Sequence, residues 1–237
     1  PISDINFALE NVHRPSSFEA LERARQRIVF AELFCLCVGL FFLKHRERER
    51  ANFTLSPVPQ DTFLRELGFT LTNAQKRVIS EAIADMSSGV CMNRLVQGDV
   101  GSGKTAVAAV LAWQAAENGA QTVLMAPTEI LSAQHYRNLS PLFERLGYKT
   151  VLITGKQPAA ERRAARKAAS DGSASLIIGT HALISESTEF ANIGLVVCDE
   201  QHRFGVAQRG KLIAKVNTPH MLVMSATPIP RTLAIII

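Results

Sequence analysis

From residue 70 onward, short apolar runs alternate with longer stretches in which apolar residues return every three or four positions. The runs 94–96, 122–126, 150–153, 176–178, 195–198 and 221–224 predict six strands. The stretches 73–86, 104–117, 130–146, 158–170 and 206–216 predict helices, with Pro141 marking a kink in the third. Runs such as Leu195-Val196-Val197 lack strand alternation, which fits strands covered on both faces. Alternation of strands and helices specifies an α/β fold with a mainly parallel sheet, in which ligands collect beyond the carboxyl ends of the strands.

The first quarter of the chain has a different texture. Ser16 with Glu19 is a capping-box signal, and Phe18, Leu21, Arg25, Ile28, Val29 and Leu33 follow helical spacing. A long helix over 17–48 is predicted, containing the uncharged run 33–43. That run is too short for a bilayer, which needs about 20 apolar residues, so it predicts a buried helix and no membrane partner. The mixed charges of 44–50 read as a solvated face. Pro57 and Pro59 break the pattern into a linker. Pro1 stands where an initiator Met would be, and 2–12 with His13-Arg14-Pro15 reads as the tail of an upstream domain. The expected organisation is therefore a tail at 1–15, an α-helical connector with linker at 16–60, and an α/β lobe at 61–237.

Composition changes this picture little. With 47% hydrophobic and 20% charged residues, the chain can bury a sizeable core. A net charge of +5 permits nucleic-acid contact without requiring it. The four cysteines (Cys35, Cys37, Cys91, Cys198) form no C-x-x-C pair and lie in apolar runs, which predicts buried thiols in a reducing, cytoplasmic setting. There is no internal repeat and no low-complexity tract.

Chemistry enters at Gly98-Asp99-Val100-Gly101-Ser102-Gly103-Lys104-Thr105, which fits G-x-x-x-x-G-K-[ST] between a strand and a helix. Gly98, Gly101 and Gly103 allow the backbone to curl so that successive N–H groups, with those of Ser102 and Lys104, face one anion at a positive helix end. Lys104 is placed to reach the β- and γ-phosphates of ATP, and the Thr105 hydroxyl to ligate Mg²⁺. Asp199 and Glu200 then leave the end of a buried strand, followed by Gln201 and His202. A Mg·ATP site needs one carboxylate for the metal and another for the attacking water, roles that fit Asp199 and Glu200 in that order.

Other signals are weaker alone. Gln75 follows Thr72 by three, which suits a capping box and equally an amide that reads adenine. Pro127-Thr128-Glu129 and Gly179-Thr180-His181 each follow a strand, where either a plain turn or a nucleic-acid phosphate contact is possible. Ser225-Ala226-Thr227 also follows a strand.

Taken together, Leu71-Thr72-x-x-Gln75, the phosphate loop, Ala126-Pro127-Thr128-Glu129, GTHAL (179–183), CDEQHRFGVAQR (198–209) and SATPIPRTLA (225–234) resemble the first motor lobe of superfamily 2 helicases. Within that superfamily they are most similar to the RecG family of bacterial ATP-dependent DNA helicases. The related transcription-repair coupling factors usually read D-E-E-H, whereas Gln201 here fits D-E-Q-H.

The resemblance implies a RecA-like P-loop NTPase lobe, with Gln75 on adenine and Lys104 and Thr105 on phosphates and Mg²⁺. Asp199 and Glu200 would serve metal and water, and Gln201 and His202 would couple hydrolysis to movement. Thr128, Glu129, Thr180 and Arg231 match positions along DNA, and Ser225 with Thr227 the link between ATP and DNA. The implied partners are branched double-stranded DNA, a wedge domain and a second motor lobe whose arginines complete the site. The chain by itself is expected to turn ATP over weakly. Two other readings stay open: a translocase of the transcription-repair coupling type, and a noncatalytic nucleotide- or DNA-binding module.

Overall fold

The computed structural model describes residues 2–44, 50–185, 188–199 and 218–226. They fall into two compact units, one within Pro1–Glu47 and one within Arg48–Ile229.

The first unit pairs α1 (Ile5–His13) with α2 (Phe18–Lys44). Asp4 caps α1 by accepting the Asn6 N–H at 2.8 Å, and Ser17 Oγ accepts the Ala20 N–H at 3.0 Å where α2 starts. Asn11 Oδ1 fastens the turn between them, accepting from the Ser16 N–H and hydroxyl. Small residues, Ala8, Ala20 and Ala24, are buried in this pair, and the Arg23 guanidinium lies 5.4 Å over the Phe7 ring. The sequence pattern showed no helix over 5–13. Capping by Asp4 and packing on α2 create one.

The run 33–43 is helical as expected, but the side chains described in it are not buried. Phe34 and Phe41 are 56% and 58% exposed, and Cys35 and Cys37 are exposed as well. The reason is length. At 1.5 Å per residue, the nine residues of α1 cover about 13 Å of a helix some 40 Å long. Of the other thiols, Cys198 is buried and Cys91 half-buried. Among the described residues no helix is long and apolar enough to cross a membrane.

The second unit is built on six parallel strands, β1 (Asn93–Gln97), β2 (Gln121–Met125), β3 (Thr150–Ile153), β4 (Leu176–Gly179), β5 (Ile193–Asp199) and β6 (His220–Ser225), in the order β1-β6-β5-β2-β4-β3. All six coincide with the apolar runs read from the sequence. Helices α3 (Asp61–Leu67), α4 (Asn73–Met86), α5 (Lys104–Glu117), α6 (Glu129–Arg145) and α7 (Ala159–Ser170) cover the sheet. Only α3 was unforeseen, because seven residues are too few for a helical period to show. The helix expected at 206–216 lies outside the described residues.

Helix α5 is buried along its whole length from Ala106 to Ala116. Its alanines let it sit close to the sheet, and Trp113 packs on Phe63 of α3 at 5.4 Å between ring centroids. Phe63 in turn meets Phe143 of α6 edge-on at 6.5 Å.

The stretch around Pro57 and Pro59, expected as a linker, is seated on this unit. Gln114 Oε1 accepts the Val58 N–H and its Nε2 donates to the Val58 carbonyl; Asn118, one turn on, does the same for Ser56. Two side-chain amides thus imitate a neighbouring strand. Pro57 lies between the paired residues and Pro59 just after them, at positions where a missing N–H costs no bond to these amides. Leu55 is buried in the same core.

Candidate nucleotide and nucleic-acid site

The sheet brings three sequence signals to one edge. Gln97, Ser225 and Asp199 end the adjacent strands β1, β6 and β5, with Gln97 in register with Ser225, and Asp199 in register with Met224. The phosphate loop follows Gln97 directly, and the Gly98 N–H donates to the Ser225 carbonyl at 3.2 Å.

Inside the loop, Gly101 and Gly103 adopt φ of 84° and 79°, a region that L side chains rarely enter. At Gly103 a Cβ would also come within 2.3 Å of Gln75 Nε2. Lys104 opens α5 with its ammonium curled onto the loop, donating to the Gly98 and Asp99 carbonyls. Those bonds hold the charge where a phosphate group would draw it.

Gln75 forms the capping box with Thr72, and its Nε2 donates to the Ser102 carbonyl at 2.9 Å. Its amide therefore ties the start of α4 to the phosphate loop. Beside Gly103 and Thr105 opens a cleft of about 300 Å³, lined also by Leu67, Phe69, Leu139 and Arg145. Phe69 is half exposed there. The sequence reading had not singled out this cleft, because α3, the α3–α4 turn and α6 form it jointly.

Further along the same edge, Thr128 caps α6 by accepting the Leu131 N–H at 3.2 Å. Glu129 Oε1 accepts the Lys156 N–H at 3.0 Å, binding the loop after β2 to the loop after β3. Thr180, after β4, is buried, and its hydroxyl has no hydrogen-bond partner among the described residues. Ser225 is fully buried. Asp199 is nearly buried, with Oδ2 at 2.8 Å from His135 Nε2 of α6. The sequence reading missed His135. Its one signal was a polar residue on the buried face of a helix. Glu200, Gln201, His202, Thr227 and Arg231 lie outside the described residues.

Among the described residues no cluster of three or more His, Cys, Asp or Glu could form a metal cage. A magnesium ion held mainly by nucleotide phosphates and water needs no such cage; one or two oxygen ligands suffice, and Thr105 and Asp199 offer that chemistry.

A family model for DEAD/DEAH box helicases matches residues 72–236. The chain belongs to the DEAD/DEAH box helicase family. It is 46% identical to the ATP-dependent DNA helicase RecG of Synechocystis over 98% of this chain and 28% of that protein. To RecG of Bacillus subtilis it is 45% identical, over 99% of this chain and 35% of that one. It thus spans about a third of the length of these relatives. A solved structure of RecG bound to a three-way DNA junction superposes with a TM-score of 0.78 at 41% identity, covering 96% of this chain and 31% of the other. The RecG resemblance read from the motifs is borne out. The lobe around β1–β6 is RecA-like, and this helicase family uses nucleotide.

Proposed function

We propose that this chain supplies the connector and first motor lobe of a RecG-like ATP-dependent DNA helicase. In the whole protein, hydrolysis would drive movement on duplex DNA and the remodelling of branched structures, such as stalled forks and junctions, in recombination and repair in the cytoplasm. The organisation that goes with it is an upstream-domain tail at 1–15, a connector at 16–60 and the motor lobe at 61–237. The observation that carries this reading is the juxtaposition of phosphate loop, Ser225 and Asp199 on three neighbouring strand ends.

Each residue then has a physical task. Backbone N–H groups of Gly98–Thr105 and the α5 N-terminus hold the phosphates, and Lys104 exchanges its loop carbonyls for phosphate oxygens. Thr105 and Asp199 hold Mg²⁺, which supplies neutralisation of the phosphate charge. Glu200 orients and deprotonates water, and Gln201 and His202 relay the outcome. The apolar cleft with Phe69 takes the base, with Gln75 at its edge. Ser225 and Thr227 connect this site to the DNA track, on which Thr128, Glu129, Thr180 and Arg231 lie. Because Thr128 and Glu129 already bond the protein's own backbone, contact at their loop falls to backbone N–H groups. A second lobe would bring the arginines that stabilise the transferring phosphoryl group, worth about 10³–10⁵ in rate in related NTPases.

The test is ATP turnover by this chain alone and with a second lobe added, each with and without forked DNA, and with Glu200→Gln as control. Turnover that needs lobe, fork and Glu200 is the expected result. Nucleotide binding without any Glu200-dependent turnover would leave a nucleotide-binding module instead.

A further inference from the structure

The contact between His135 and Asp199 is nearly buried on both sides, with side chains 10% and 13% exposed. An ionised carboxylate can only accept, so His135 Nε2 carries the shared proton whatever the charge of the ring. His135 lies on the inward face of α6 with Ser132 and Leu139, both buried, one turn to either side. An imidazole at such a position is costly without a partner, and an aliphatic side chain would fill the space without that cost. The partner it has is the one described carboxylate at the strand end that faces the phosphate loop's neighbour.

We propose that His135 is a positioning residue of the nucleotide site. By holding Asp199 Oδ2, it fixes the carboxylate plane and presents Oδ1 to the metal that accompanies bound nucleotide. The inference rests on the nucleotide-site reading of Gly98–Thr105 and Asp199. The terminal torsion of an aspartate is otherwise broad and twofold, so a single bond from a buried ring removes most of its freedom. Partners behind a metal-binding group typically change metal affinity 10- to 100-fold when removed. The arrangement also has a direction. Helix α6 starts at the 126–129 loop, and His135 follows Thr128 by two turns, about 10 Å. The element that orients the metal carboxylate thus begins where the proposed function places DNA.

The experiment uses the 237-residue chain with ADP and Mn²⁺. Mn²⁺ affinity in the presence of ADP is read by electron paramagnetic resonance, and ADP affinity in EDTA by calorimetry. His135→Ala is expected to weaken Mn²⁺ binding about 10- to 100-fold, with ADP affinity in EDTA changed less than about twofold. His135→Gln, whose amide nitrogen can reach the same oxygen, should recover most of the loss. Unchanged Mn²⁺ affinity in the Ala variant overturns the proposal. So does a Gln variant no better than Ala, or a loss of ADP affinity in EDTA, either of which makes the role one of packing. If Lys104→Ala binds ADP as tightly as the unaltered chain, the nucleotide-site reading itself fails, a result separable from an indifferent His135.

Discussion

The two edges of one parallel sheet are built on opposite principles. At the amino edge the buried amides and the buried imidazole are answered by backbone groups, although the Thr122 and Thr150 hydroxyls have no hydrogen-bond partner among the described residues. Gln121 donates to the Ala169 and Ala174 carbonyls and accepts from the Ala191 and Asn192 N–H groups. His220 accepts the Met92 N–H at Nδ1 and donates to the Phe53 carbonyl through Nε2, so its neutral tautomer is fixed by two backbone groups. Gln114 and Asn118 do the same for Ser56 and Val58. At the carboxyl edge lie left-handed glycines, an ammonium folded onto loop carbonyls, the unpartnered Thr180 hydroxyl and an exposed Val100 at the loop tip. The first edge commits its buried amides and imidazole to the protein's own backbone, whereas the second holds a glycine loop and an ammonium that a ligand can engage. Stability and chemistry are thus separated by the length of a strand.

The sharpest test of that separation is Lys104→Ala. It should lower ATP turnover of the lobe-complemented protein by about 10³-fold. Unfolding free energy should move by less than about 0.5 kcal/mol in denaturant titration. A large stability loss would break the comparison from the carboxyl side. From the amino side, Gln121→Leu strands the Asn192 N–H and the Ala174 carbonyl, while the Ala191 N–H and Ala169 carbonyl keep each other, and should cost about 3 kcal/mol. ADP affinity measured well below the unfolding temperature should not change.

His220 gives a pH handle on the same edge. Burial pushes its pKa below the ordinary histidine value, against the opposing bond to the Phe53 carbonyl. The unfolded chain therefore takes up this proton first as pH falls. Stability should be full above about pH 6.5 and decline below it by up to about 1.4 kcal/mol per pH unit, until the lowered pKa is reached. His220→Gln should flatten that limb of the profile, read by thermal unfolding across pH 4–8. The smallest effect belongs to Thr128→Ala, which removes the α6 cap and should cost about 1 kcal/mol.

How much of this was legible in sequence varies with the range of the interaction. The six strands and helices α4 and α5 were readable because hydrophobic period and caps are local. So was the phosphate loop, whose glycines and Lys-Thr are consecutive. The 33–43 run was read as buried because an uncharged stretch looks alike whether or not a neighbour reaches it; the short α1 does not reach. Pro57 and Pro59 gave the signal of a linker, since nothing near them in the chain announces that Gln114 and Asn118 will pair with the neighbouring Val58 and Ser56, 56 and 62 residues away. The capping-box and adenine readings of Gln75 could not be ranked from spacing. The fold adds a third bond, to the Ser102 carbonyl, that spacing does not encode.

The sequence by itself determined the family, the α/β alternation and the identity of the groups available for phosphate and metal, because each is written in residues adjacent along the chain. Tertiary structure alone decided their arrangement. The strand order β1-β6-β5 puts Gln97, Ser225 and Asp199 side by side although up to 128 positions separate Gln97 from Ser225. It also brings His135 of α6 to Asp199, 64 residues on. A crossover connection places a strand by packing both its faces, and that packing is a sum over the whole core that no local pattern contains.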